Sequence, residues 1–261
     1  MVPLIIAMGV TLWERVLHAA VVLGLIFLVK FLLTRRRKIR EDKARAAANG
    51  LPLGMVRESA HFRLVRGLAM TDLGGIYEGY MAKPAEEDRI LLTVNVSAER
   101  LAEVILALTA EVREPSVLIL DVPSRHRAPG APEHGRPTRR DVFEMDHMTH
   151  ARFASFFRRY AELLVHDGQT WLWYGTGDGR DYVLVGLLKM VRILTDDPAK
   201  YMRVLDQLGY TEEPQLLTAA DNVSADRPAC AFIIEAGGKS VYDMVDAMKR
   251  DGLYLLETRE E

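Results

Sequence analysis

The segment RILLTVNVSAERLAEVILALTAEVREPSVLILDV, residues 89–122, carries the reading on which the fold turns. Its first eight residues are largely aliphatic and β-branched and read as a strand. Ser97 stands where an N-cap is wanted, and Leu101, Val104, Ile105 and Leu108 then recur at helical spacing. Pro115 closes that helix, and 117–122 (VLILDV) is again an apolar strand. Strand, helix and strand within about thirty-five residues make a βαβ-like unit and predict a parallel strand pair.

Working outward, 61–68 and 76–81 flank Asp72-Leu73-Gly74-Gly75 and read as two strands joined by a turn. Four prolines and two glycines in 123–137 exclude regular structure there. Phe153, Phe156, Phe157, Tyr160, Leu163 and Leu164 then give 148–165 an amphipathic helical period. The stretches 170–174 (TWLWY) and 182–185 bracket a glycine-rich turn and predict a hairpin. A strand is expected at 188–194. Asp196-Asp197-Pro198 opens a helix that Gly209 ends. Finally, 230–235 (CAFIIE), 241–249 and 253–256 repeat the order strand, helix, strand.

The N-terminus sets the cellular context. Residues 16–33 form an apolar run interrupted only by His18 and Lys30. Eighteen helical residues rise about 27 Å, close to the thickness of a bilayer's hydrocarbon core. Arg35, Arg36, Arg37, Lys38 and Arg40 follow directly. Positive charge is retained on the cytoplasmic side, so a single span with its N-terminus outside is expected, in the inner (plasma) membrane. Lys30 can snorkel to the same headgroups. Ala20 and Gly24 have the small-xxx-small spacing that lets membrane helices pack closely, a route to a homo-oligomer.

The expected class is thus α/β in the mixed α+β sense, a single transmembrane helix followed by a cytoplasmic mixed-sheet domain with two βαβ-like units. The expected divisions are an anchor at 1–34, a basic juxtamembrane linker at 35–54, one half at 55–122, a Pro/Arg-rich loop at 123–140, and a second half at 141–261.

Charge narrows the partners. The chain of 261 residues carries a net −2, but residues 1–45 hold nine Lys/Arg against three acids, leaving −8 on the remainder. The basic part suits anionic inner-leaflet lipid, whereas the acidic remainder is unsuited to nucleic acid. The single Cys230 excludes an intrachain disulfide and fits a reducing compartment; its apolar neighbours suggest a small core residue.

Candidate chemistry is sparse. Asp146, His147 and His150 are the most suggestive group. Two histidines three apart on one helical turn could hold a metal with Asp146 or Glu144, and Asp146 serves equally well as an N-cap. Asp121 ends the strand 117–122, where α/β proteins place active groups, or it bonds to the following loop. Gly237-Gly238-Lys239-Ser240 resembles the end of a phosphate-binding loop, but Ile233 occupies the place of the first glycine. A glycine turn with Ser240 as N-cap is the remaining reading. Arg125, Arg127, Arg136, Arg139 and Arg140 form a second basic patch around the proline-rich loop. Trp171 and Trp173 share one face of their strand, which would be a partner surface if exposed.

No cofactor is predicted. The function expected is a membrane-anchored cytoplasmic binding or adaptor protein with a protein partner, for example a bacterial immunity-type protector that masks that partner. The alternatives are a membrane-tethered metal-dependent hydrolase using Asp121, His147 and His150, and a structural subunit of an envelope complex.

Overall fold

Along 116–123 the side chains of Leu118, Leu120 and Val122 point one way and those of Val117, Ile119 and Asp121 the other, as strand geometry requires. The same alternation builds ten strands in a computed structural model that describes residues 52, 54–125 and 139–260. The elements are β1 (Leu68–Met70), β2 (Gly79–Pro84), β3 (Ile90–Asn95), α1 (Leu101–Thr109), β4 (Ser116–Pro123), β5 (Arg139–Met148) and α2 (His150–His166). They continue with β6 (Trp171–Thr176), β7 (Tyr182–Val185), β8 (Val191–Thr195), α3 (Pro198–Gln207), β9 (Ala229–Ala231), α4 (Val241–Lys249) and β10 (Tyr254–Glu260). The expected anchor at 16–33, its basic block with Lys30 to Arg40, and the Ala20–Gly24 spacing lie outside the described residues. Among the described residues no helix is long and apolar enough to cross a membrane.

The fold is mixed α+β around one large antiparallel sheet, in the order β10-β5-β4-β6-β7-β8-β3-β2. Strands from both sides of the proline-rich segment enter it. The parallel pair expected from residues 89–122 does not form. β3 and β4 do run in the same direction, but β8, β7 and β6 lie between them, each pairing antiparallel with its neighbours. The meander β6-β7-β8, joined by short turns, fills the gap that α1 bridges. The second expected unit also separates: β9 pairs with β1 in a small two-stranded sheet, while β10 lies on β5. Nor do 61–68 and 76–81 pair with each other, since β2 pairs with β3. The turn between them is nonetheless present, with Asp72 Oδ1 accepting from the Gly74 amide at 2.7 Å and Gly75 at φ 76°.

Other boundaries moved for local reasons. β5 occupies ten residues beside the proline-rich segment, where Arg140, Val142 and Glu144 alternate with Asp141, Phe143 and Met145. It pairs antiparallel with β4. Helix α2 therefore starts at His150, and its N-cap is Thr149, which accepts from the Arg152 amide at 3.3 Å, not Asp146. The N-cap position of α1 is Arg100, and Ser97 Oγ instead accepts from the Arg63 amide. Leu187–Lys189 is a 3₁₀ turn ahead of β8. α3 begins at Pro198 and α4 at Val241 behind a Ser240/Asp243 capping box, as their sequence signals indicate.

The helices share one side of the sheet. α1 packs on α2 and α3, α2 on α4, and α1 on β7. Their apolar stripes bury Leu118, Leu120, Leu172, Tyr174, Val183 and Ile193 of the strands in one continuous core. Phe153 of α2 meets Tyr174 with ring centroids 4.3 Å apart. The alternate strand residues face the other way, and no described helix lies over them.

Candidate functional site

The candidate site is this second face. Antiparallel register aligns Glu144 of β5, Ile119 of β4, Trp173 of β6, Leu184 of β7 and Arg192 of β8 in one row across five strands. The first four are half-buried and Arg192 is exposed. Tyr182 packs beside Trp173 at 5.3 Å between ring centroids. Trp171, two residues along β6, is half-buried on the same face. The two tryptophans that the sequence singles out therefore share one surface, with Tyr182, Ile119 and Leu184 added to them.

One end of the face is closed by charge. Asp121 is buried opposite Trp171, and its Oδ1 accepts from Arg140 Nε at 2.5 Å. Arg140 is only 3% exposed. It also donates to the carbonyls of Asp121 (3.0 Å) and Gln169 (2.7 Å), and its guanidinium lies 4.9 Å from the Trp171 ring centre. Arg259 of β10 donates to the other carboxylate oxygen. Asp121 thus ties β4, β5, β10 and the turn before β6 together, and it bonds to strands, not to a following loop. Arg140 leaves the basic loop patch expected for it. Arg125 pairs with Asp246 at 2.8 Å and Arg139 sits in β5, while Arg127 and Arg136 lie outside the described residues.

The acidic–histidine cluster is not gathered. Asp146 and His147 are exposed in β5, and His147 has φ 49° at an irregularity of the β4–β5 pairing. His150 is on the next element, with its amide donating to Glu114 Oε1 at 2.6 Å. The two histidines do not share a helical turn. Asp146 and Glu144 instead both accept from the Tyr254 hydroxyl, at 2.8 and 2.6 Å, and these bonds hold that hydroxyl's pKa above its ordinary value. Among the described residues no three His, Cys, Asp or Glu side chains are grouped to hold a metal. Cys230 is a half-buried free thiol in β9.

On the helix side, a cavity of about 340 Å³ opens between α4 and the β4, β5 and β10 end of the sheet. Arg125, Lys249, Asp141 and Asp246 line it, with Val245 and Leu255 below. Its charges are largely matched internally, Arg125 and Lys249 both reaching Asp246.

Sequence reasoning missed Ile119, Leu184, Tyr182, Glu144 and Arg192 as members of one surface. The available signal was 117–122, apolar on both strand faces, which in an antiparallel sheet means that the second face also has something to meet. It missed Lys189 as well, a buried lysine whose Nζ donates to the carbonyls of Leu164 (2.9 Å) and Thr170 (2.7 Å). Burial pulls its pKa down to about 8. Comparison with protein-family models, curated proteins and solved structures found no match.

Proposed function

We propose that the chain is a membrane-tethered cytoplasmic binding protein whose open sheet face receives a protein partner. The observation that carries this reading is the apolar row on that face, with Trp173 at its centre and Trp171 and Tyr182 beside it. Large contiguous apolar surface on a folded domain marks interaction, and Trp and Tyr supply much of the binding energy where they are buried by a partner. The acidic balance of the domain suits a partner with a basic surface, as a masking or immunity-type role would require. The apolar run at 16–33 and the basic residues 35–40 support tethering at an anionic inner leaflet.

The test is co-purification of partners with the tagged full-length chain in mild detergent, beside its Trp173→Asp variant. A stoichiometric protein held by the first and lost by the second, with the fold retained by circular dichroism, is the expected result. Equal retention by both, or recovery by neither from a chain that also does not associate with itself through this face, overturns the reading.

A further inference from the structure

We infer that the open face takes a second copy of this chain, packed sheet to sheet about a two-fold axis parallel to the strands; this rests on the reading of that face as a protein-binding surface. The reason is the order of side chains across the row. Glu144, Ile119, Trp173, Leu184 and Arg192 run acid, aliphatic, aromatic, aliphatic, base over five adjacent strands. The row is symmetric in shape about Trp173 and opposite in charge at its two ends.

A two-fold axis along the strands through β6 inverts the strand order of the second copy beneath the first. Trp173 then meets Trp173 near the axis, Ile119 of each copy meets Leu184 of the other, and Glu144 of each meets Arg192 of the other. An isologous contact requires a patch to be its own complement, and this row fulfils that requirement in both size and sign. An axis at right angles to the strands fails, because it sets Glu144 against Glu144 and Arg192 against Arg192. Two such faces stack at about 10 Å with strands inclined by about 30°, the packing of ordinary β-sandwiches.

Arg192 adds an independent argument. It stands exposed between Leu184 and Thr93 in the middle of a sheet, and no ion pair among the described residues engages it. The second copy supplies the missing carboxylate. Glu144 is held ready for it, since the Tyr254 hydroxyl donates to one of its oxygens and orients the group on the face.

The test is sedimentation equilibrium of the full-length chain in mild detergent, comparing wild type, Glu144→Arg, Arg192→Glu and the double exchange. The wild type is expected to be dimeric. Each single reversal should weaken the dimer about tenfold or more, because it sets like charges together at two symmetric points. The double exchange restores opposite charges and should return to within about threefold of wild type. A monomeric wild type, singles without effect, or a double no tighter than the singles would each overturn the inference. Singles without effect are also what a dimer held only through Ala20 and Gly24 would give. If the chain is monomeric yet Trp173→Asp abolishes capture of a different protein, the dimer falls and the binding reading stands. If that variant changes neither association, both fall.

Discussion

Lys189 is fully enclosed, and two carbonyls replace its water. Burial is the main cause of its lowered pKa, partly offset by Asp167. In the unfolded chain the same ammonium titrates near 10.5, against about 8 in the fold. Between those values the unfolded chain keeps a proton that the folded one has released, so this residue makes stability rise with pH through that window. The full rise is roughly 3 kcal/mol. Denaturation midpoints of wild type should therefore gain on those of Lys189→Met between pH 7.5 and 10, and parallel curves would refute the assignment. Asp121 is tested by removing its charge. Asp121→Asn removes the buried carboxylate that Arg140 and Arg259 share and should cost about 3 kcal/mol. Urea unfolding with an unchanged slope would show it, whereas a loss under about 1 kcal/mol would mean that the Asp121 carboxylate is not what holds Arg140 in place.

At the scale of elements, two backbones meet where glycines permit. Gly67 donates its amide to the His166 carbonyl, Phe232 donates to the Gly67 carbonyl, and Gly168 donates to the Phe232 carbonyl. A Cβ on Gly168 would lie 1.9 Å from the Gly67 carbonyl oxygen, a distance that no rotamer change relieves. Gly168→Ala should therefore separate the β1–β9 ribbon from the end of α2. The expected loss is about 3 kcal/mol or more, by the penalty for overpacking together with broken hydrogen bonds, read as a fall in melting temperature. Helix α4 offers a gentler test. Asp243 Oδ2 accepts from both the amide and the hydroxyl of Ser240 at 2.7 Å, so Ser240→Ala should cost about 1 kcal/mol in the same measurement. Ser240 was legible as an N-cap in the sequence because it stands between a glycine pair and the helical period that follows, whereas its Asp243 partner came from the structure. The glycine contact was not legible, because Gly67 and Gly168 are a hundred residues apart and neither position has a local signal.

The described residues from 55 onward form a layer of helices on one side of a sheet, and stability is graded across that sheet. β4, β6 and β7 have neighbours on both edges and the core beneath them. β10 lies at one edge with all seven residues exposed, including Leu255 and Leu256 at 52% each. Hydrogen exchange followed by mass spectrometry should be slowest in β4, β6 and β7 and fastest in β10 and the outer end of β2. Pairing of a second copy over the open face predicts further slowing in β6 and β7 at concentrations where the chain is dimeric. No such slowing in a demonstrated dimer would place the contact elsewhere.

What the sequence by itself determined is what neighbours along the chain decide. Pro198 behind Asp197, Ser240 behind its glycine pair and the glycine-rich turn between the TWLWY strand and β7 each encode their element within a few residues. Only the tertiary structure decided which strands are neighbours, because main-chain pairing is indifferent to side-chain identity and 117–122 is apolar on both faces. Three strands supplied from elsewhere in the chain lie between β3 and β4, turning an expected parallel pair into members of an antiparallel sheet. The same packing made Asp121 a buried tie and not a free carboxylate, separated His147 from His150, and set Glu144, Trp173 and Arg192 in one row. Those outcomes depend on register between segments far apart in sequence, and register is chosen by the core that all of them share.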